Sequence, residues 1–337
     1  MKRILTLCLT AGILSCSQLV FSEEKPKVEV SGYFWLQYLN DLSDSPEKGT
    51  KSQSSFELNR MQIHVKGAFT DKVKANMVLE AQTPEYPGGS LKSPFVKNIV
   101  LEMADLLPLP GNKIIIGIPG TPWIGQEEGI WKHRFIYRVQ ADADAGVKSN
   151  DRGIGIAGKI PNSYGDYAIT YGNGEGGTGN FDDKYKDVQA RLTVSPVPSI
   201  LSGLKLHLFK QIGKQTSNGK KNDVLIGGLS LEDKAHHLMA SYLRKEVETT
   251  STITSPGLSI HGSYKITPEA GIFTRFDSWD PDKDKSDDAY KRIVLGATYS
   301  PFKDIRFAVS YIAKNLQKET ETKKNQKWLS LHAEVKY

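Results

Sequence analysis

The sequence contains little cysteine and has no long apolar segment beyond its first residues. Its two cysteines, Cys8 and Cys16, both precede Ser22. A chain cleaved after Ser22 would contain no thiol, which excludes disulfides, thiolate zinc sites and a cysteine nucleophile. Beyond Ser22 there is no run of about 18 apolar residues, so the sequence predicts no transmembrane helix.

The first 22 residues are predicted to be a cleavable signal peptide. Met1–Arg3 is basic, Ile4–Leu14 is apolar, and Val20–Ser22 places small residues near the −3 and −1 positions of a cleavage site. A lipoprotein signal ending at Cys16 is the alternative, but a bulky leucine stands two residues before that cysteine, where a small residue is usual. No Pro/Ser-rich linker follows, so residues 23–337 are predicted to form one exported domain.

The chain is basic, with a formal net charge of +6, which suits an anionic partner. Nucleic acid is not expected for an exported chain without a binding motif. The acidic stretch Asp280–Asp288 resembles a calcium loop, but Lys285 and Lys291 replace the glycine and glutamate that such a loop needs. His236 and His237 point to opposite faces of a strand. We therefore expect no metal and no cofactor.

Short segments of alternating polarity repeat along the rest of the chain. In Leu258–Ile266 and Ile305–Ala313, apolar residues alternate with polar ones, and Tyr337 ends the chain on the apolar face of a last strand. Long connections alternate with short turns such as Thr70–Lys72. At about twenty residues per strand and connection, this pattern predicts an all-β fold, a transmembrane antiparallel up-and-down barrel of about sixteen strands.

The segment Pro119–Asn150 departs from this pattern because an ordinary connection has about four to six residues. Its part Gln126–Ala141 has helical spacing, so that apolar and basic residues share one face. The residues on that face are Trp131, Arg134, Phe135 and Arg138. We predict that this third long loop folds inward as the constriction of a pore. The alternative is a surface helix on an outer loop.

The polar face of each strand would then line water, and cations outnumber acids on it about two to one. That face includes Arg60 and Glu80. The predicted pore-lining and constriction residues are Arg134, Arg138, Arg191, Lys205, Lys265, Arg275, Arg292 and Arg306. Basic side chains concentrate anions, and guanidinium binds phosphate and carboxylate bidentately. Their alternative role is pairing with acids or solvation near the rim.

Several stretches carry a resemblance to a known family. They are Phe56–Arg60 and the strand it opens, Lys113–Gly117 running into Pro119–Trp123, the return strand from Asp151 to Ile156, the glycine-rich Tyr171–Gly176, and Thr274–Asp277. Together they resemble the phosphate-selective porin O/P family and related Gram-negative porins. The resemblance implies an outer-membrane porin fold, an inward third loop and a homotrimer in contact with lipid and lipopolysaccharide. It does not extend to the family's arginine ladder.

The sequence thus predicts passive diffusion of small hydrophilic solutes through the outer membrane, with a preference for anions and phosphate as one candidate. A terminal aromatic resembles the signal that the barrel-assembly machinery recognises. A weakly selective general porin and a surface adhesin or receptor barrel are the alternatives. An enzyme is not expected. His207, His261 and His332 face inward, but no nucleophile elbow or triad order accompanies them, so no catalytic residue is predicted.

Overall fold

The structure, a computed structural model, describes residues 26–43, 54–83, 93–179, 183–215, 218–319 and 325–337. The predicted signal peptide, residues 1–22, lies outside the described residues. Within the described ranges, no helix is both long and apolar enough to cross a membrane.

Sixteen strands form one closed barrel in which each strand pairs antiparallel with its sequence neighbours and β1 closes the ring against β16. The strands are β1 (Lys27–Asp41), β2 (Ser54–Ala68), β3 (Val73–Gln82), β4 (Phe95–Ala104), β5 (Lys113–Gly117), β6 (Gly153–Ile160), β7 (Gly165–Gly172), β8 (Asp187–Val194), β9 (Leu204–Ile212), β10 (Asn222–Glu232), β11 (His236–Glu248), β12 (Thr252–Lys265), β13 (Ala270–Trp279), β14 (Tyr290–Phe302), β15 (Ile305–Leu316) and β16 (Gln326–Lys336). The predicted fold class and strand number are confirmed.

The alternation along each strand separates an apolar outer surface from a polar interior. In β12, Leu258 and Ile260 are 37% and 49% exposed, whereas Ser259 and His261, which alternate with them, are almost fully buried. Successive strand side chains point to opposite faces, so one sequence pattern serves both surfaces. The apolar outer face suits lipid, and the polar inner face suits water or an inward loop.

Lys27, at the start of β1, and Tyr337 both lie at the end of the barrel that carries the short turns. Lys27 pairs with Ala68, beside the turn between β2 and β3, and Tyr337 exchanges backbone hydrogen bonds with Gly32. Gly32 permits this approach, because a Cβ there would collide with the Tyr337 side chain and the Gln62 carbonyl. The terminal strand is therefore closed against β1 up to its last residue.

The long segment between β5 and β6 lies inside the barrel. It contains helices α1 (Ile124–Trp131) and α2 (Gln140–Ala143). Arginines from three well-separated strands donate hydrogen bonds to its carbonyls: Arg191 of β8 to Pro122, Arg275 of β13 to Arg138, and Arg306 of β15 to Lys132. Only a segment within the ring can reach all three strands, so the predicted inward third loop is confirmed.

The helical spacing over Gln126–Ala141 does not correspond to one helix. Helix α1 ends at Trp131, and Lys132 has a left-handed φ of 61° while its N–H donates to the Glu128 carbonyl. The ring of Trp131 packs against His261 of β12, whereas Phe135 packs edge-on against His332 of β16. Contacts with two separate parts of the barrel wall override the local helical periodicity.

Candidate functional site

The constriction loop, residues 119–150, fills the side of the barrel interior that faces β8–β16. Its aromatic side chains Trp123, Trp131 and Phe135 are at most 2% exposed. Trp123 packs against Phe209 of β9, and Trp131 packs edge-on against Phe273 of β13. Burial of each large apolar side chain contributes about 1.5–3 kcal/mol, so this side of the loop is a packed core and not a water-filled surface.

A buried ionic cluster fixes the second half of the constriction loop to the wall. Arg292 of β14 binds the Asp144 carboxylate, with N–O distances of 2.7 and 3.0 Å, and donates to Asp277 at 2.9 Å. Arg275 also pairs with Asp277, at 2.8 Å. All four charged groups are at most 3% exposed. Because each charge has an opposite partner, the cluster can remain ionised away from water.

Further polar contacts surround this ionic cluster. Lys245 of β11 donates to the Ala145 carbonyl at 2.8 Å, and Gln140 of the loop donates to the Ser278 carbonyl at 2.9 Å. The Tyr290 hydroxyl also donates to Asp144. These contacts fix α2 and the two residues after it, Asp144 and Ala145, to β11, β13 and β14.

The eight predicted site residues occupy three kinds of position. Four contact the constriction loop from the wall: Arg191, Arg275, Arg292 and Arg306. Two others, Arg134 and Arg138, line a cavity between the loop and the opposite wall. Lys205 pairs with Glu232 at 3.2 Å, and Lys265 lies at the short-turn mouth of the barrel. The structure brings the first six together around the loop and leaves the two lysines apart.

That cavity, of about 500 Å³, separates the constriction loop from the wall formed by β1–β4. Its charged lining consists of four cations and three acids. They are Arg60, Glu80, Lys97, Glu128, Arg134, Arg138 and Asp142. The cavity lies on the side of the loop opposite the packed aromatic residues.

On the barrel wall, Glu80 of β3 pairs with cations from both neighbouring strands. Its carboxylate lies 3.4 Å from the Arg60 Nε of β2 and 3.0 Å from the Lys97 Nζ of β4. Gln62 also donates to this carboxylate. The wall cluster, Arg60, Glu80 and Lys97, therefore carries one surplus positive charge.

The facing side of the loop carries two arginines and two acids. Arg134 pairs with Glu128 at 2.7 Å and with Asp142 at 3.5 Å, and Arg138 pairs with Asp142 at 3.2 Å. The side chains of the two arginines are 17% and 27% exposed. The loop cluster, Glu128, Arg134, Arg138 and Asp142, is formally neutral but keeps part of each guanidinium open to the cavity.

An aromatic side chain lies where the two clusters approach each other. The guanidinium carbons of Arg60 and Arg134 lie 5.0 and 5.9 Å from the Trp35 ring centroid, and Tyr33 stacks on the same ring at 4.9 Å. Cation–π attraction orients both guanidinium groups. Trp35 therefore links the wall cluster to the loop cluster.

Sequence reasoning placed Arg60 and Glu80 on the inward face but missed Lys97. The pairing of β3 with β4 shifts between Val78 and Leu79, whose partners are Asn98 and Val96, so Lys97 is an extra residue in β4. Such a β-bulge changes which residues face inward. Alternation along β4 therefore does not show whether the Lys97 side chain faces the interior or the outer surface of the barrel.

Glu127 of α1 is a buried acid beneath the constriction loop. It accepts a hydrogen bond of 2.6 Å from the Trp123 indole, and its other oxygen lies 3.9 Å from the His261 imidazole. Burial raises the pKa of Glu127 to about 7, although the positive charge of Arg275 opposes the shift. The carboxyl group is therefore protonated in the folded protein over part of the range in which it would be ionised in water.

Glu127→Gln is expected to flatten the pH dependence of stability. Between about pH 4.5 and about pH 7 the folded protein binds a proton that the unfolded chain has released, so the free energy of unfolding falls as pH rises through that window. Glutamine does not titrate, so it removes this pH-dependent change of roughly 3 kcal/mol in the free energy of unfolding. The test is the temperature of conversion to the unfolded electrophoretic form at about pH 5 and about pH 8. If the difference between the two temperatures were the same in Glu127→Gln as in the unmodified protein, the raised pKa of Glu127 would be contradicted.

No group of three or more His, Cys, Asp or Glu side chains able to hold a metal occurs among the residues that the structure describes. Within those ranges, the acids of the cavity are paired with arginine or lysine and not with one another.

Comparison with known proteins gave no matching family model and no matching curated protein. Solved structures do match. The anion-selective porin from Comamonas acidovorans has a TM-score of 0.70 and 10% identity over 93% of this chain and 100% of that chain. The chain has the fold of the outer-membrane porins. OmpF of Salmonella typhi, in complex with daunomycin, has a TM-score of 0.67 and 11% identity over 93% and 98% of the two chains.

A third similar structure is a trimer form of OmpT, an outer membrane protein of Vibrio cholerae folded in vitro. Its TM-score is 0.63 at 11% identity, over 93% of this chain and all of that chain. At such identities the likeness concerns the porin fold alone. The narrower resemblance to the phosphate-selective O/P family stays a prediction.

Proposed function

We propose that this protein is an outer-membrane porin for passive diffusion of small hydrophilic solutes, with a preference for anions and phosphate as a candidate solute. The observation that carries the proposal is the cavity of about 500 Å³ between the constriction loop and β1–β4. Among its charged lining residues, cations outnumber acids by four to three. The narrow route past the loop would therefore have a positive potential.

A small surplus of charge has a large effect in such a passage. The surrounding protein has a low dielectric constant, so the field of the lining charges is screened less than it would be in bulk water. An anion entering it meets partly exposed guanidinium groups of Arg134 and Arg138 on the loop and two cations on the wall. Oxyanions suit these groups, because guanidinium donates forked hydrogen bonds.

A weakly selective general porin is the second candidate, and the pairing of the charges favours it. Each of the three acids contacts at least one cation of the cavity, so most of the positive charge is balanced locally. A chain with this charge distribution would still pass neutral hydrophilic solutes. A surface adhesin or receptor barrel with little conductance is the remaining alternative.

We infer further that the barrel is not an enzyme. Two serine–histidine contacts occur in the described interior, Ser230 with His207 at 2.9 Å and Ser310 with His332 at 2.8 Å. All four residues are at most 4% exposed, and no carboxylate hydrogen-bonds either imidazole among the described contacts. A hydrolytic triad needs an accessible nucleophile and a base oriented by a third group.

The outer surface supports a place in the outer membrane of a Gram-negative-type bacterium. Exposed apolar residues recur on the outward face of the strands, and Tyr337 is 57% exposed at the end of β16, which suits contact with lipid, lipopolysaccharide and the barrel-assembly machinery. We propose a homotrimer, and the similar OmpT structure is a trimer form.

The reversal potential in a planar bilayer across a potassium chloride gradient tests the proposed function. An anion-preferring channel shifts this potential towards the chloride equilibrium potential. A shift towards the potassium potential would contradict the anion preference, and a potential near zero would support the general porin. Absence of any channel would support the adhesin or receptor barrel.

A further inference from the structure

Glu80 is the least exposed charged group of the cavity lining. Its side chain is 1% exposed, whereas those of its two partners, Arg60 and Lys97, are 12% and 15% exposed. The carboxylate is therefore shielded from water more completely than either of its partners. Its contacts at 3.4 Å and 3.0 Å engage one cation from each neighbouring strand.

We propose that Glu80 is an internal counter-ion that sets how strongly the passage prefers anions. This inference rests on the proposed porin function and deepens it. In the loop cluster, two acids balance two arginines. The surplus positive charge of the cavity therefore lies on the wall, where Glu80 neutralises one cation of two.

The position of Glu80 makes its charge more effective than that of the loop acids. Glu128 and Asp142 are 25% and 17% exposed, so water and salt screen them more strongly. Glu80 lies on β3, which pairs with β2 on one side and with β4 on the other. A charge on a paired strand is held in place more precisely than a charge on a loop.

Glu80→Gln is expected to increase the permeability ratio of chloride to potassium about threefold or more. The reason is that the loss of a unit charge from the wall of the cavity shifts the energy of an ion inside it by more than RT. Glutamine has almost the same shape and keeps an oxygen that can accept from Arg60. The measurement is the reversal potential of the full-length channel across a potassium chloride gradient, compared with that of the unmodified protein.

Lys97→Gln is expected to change the ratio in the opposite direction. The double variant Glu80→Gln with Lys97→Gln restores the formal wall charge, so its ratio should return close to that of the unmodified protein. A merely structural role for Glu80 would not be rescued by removing its partner. Glu102→Gln on β4 is the matched control, because this acid pairs with Lys113 and lies outside the cavity lining.

The outcomes separate this inference from the proposed function. If the unmodified channel prefers anions and Glu80→Gln leaves the ratio unchanged, the inference about Glu80 is wrong and the proposed function stands. If the unmodified channel prefers cations but Glu80→Gln shifts it towards chloride, Glu80 has the inferred role and the proposed anion preference is wrong. If Glu80→Gln does not fold, Lys97→Gln provides the test. An unchanged permeability ratio of chloride to potassium in that variant would overturn the inference, and a fall in the ratio would support it.

Discussion

Arg292→Ala is expected to release the constriction loop from the wall and to raise the single-channel conductance and its fluctuations. The change leaves Asp144 without its guanidinium partner and removes one of the two cations bound to Asp277. Removing one member of a buried ion pair costs about 3–5 kcal/mol, because the partner charge remains buried. Such a loss is large enough to favour conformations in which the loop leaves its place beside β14.

Conductance and open-channel noise in a planar bilayer, together with the temperature of heat conversion to the unfolded form, measure this effect. Lys245→Ala is the matched control. It removes a cation that holds the adjacent residue of the same loop, but its partner is the neutral Ala145 carbonyl, so the cost should be about 1–3 kcal/mol. Conductance and noise in Arg292→Ala equal to those of Lys245→Ala would show that the ionic cluster does not hold the loop.

Arg134→Ala combined with Arg138→Ala is expected to reverse the proposed anion preference. The cavity would keep two cations, Arg60 and Lys97, against three acids. Glu128 and Asp142 would also lose their arginine partners on the loop. An acidic passage attracts potassium and repels chloride, so the reversal potential should move across zero.

The matched control removes two cations from the outward faces of the strands. Arg244 and Lys291 are exposed and alternate with the buried inward residues Leu243 and Arg292. Arg244→Ala with Lys291→Ala therefore changes the net charge equally and leaves the cavity lining intact. A similar fall in anion preference in both double variants would contradict a local origin of the selectivity.

The two experiments report on different properties of one loop. Arg292 contacts the loop from the packed side and sets its position, whereas Arg134 and Arg138 face the water on the other side. Loss of Arg292 should change conductance and stability more than ion preference. Loss of the two loop arginines should change ion preference more than stability, because their partners are partly exposed.

The amino-acid sequence was sufficient for the barrel. Strict alternation of apolar and polar residues, as in Leu258–Ile266, can be satisfied only by strands with two different environments. The length of the chain, at about twenty residues per strand and connection, then gave the strand number. These features are local, since they depend on neighbouring residues and on the geometry of an extended chain.

Only the tertiary structure showed which inward cations contact the constriction loop and which line the cavity. Arg275, Arg292, Arg191 and Arg306 share the inward parity that the sequence predicts, but parity does not show which part of the wall the loop will cover. The loop packs on β8–β16 because its aromatic residues, such as Trp131, find partners there. The arginines beneath it thereby became loop contacts, and the cavity formed on the other side.

The sequence by itself determined that the chain forms a porin-like barrel with an inward third loop. Only the tertiary structure decided where that loop bends, at Lys132, and that the bulge in β4 brings Lys97 to Glu80. The physical reason is that alternation is a property of neighbours along the chain. Loop position and strand register depend on contacts between residues far apart in sequence, whose energies outweigh local propensity.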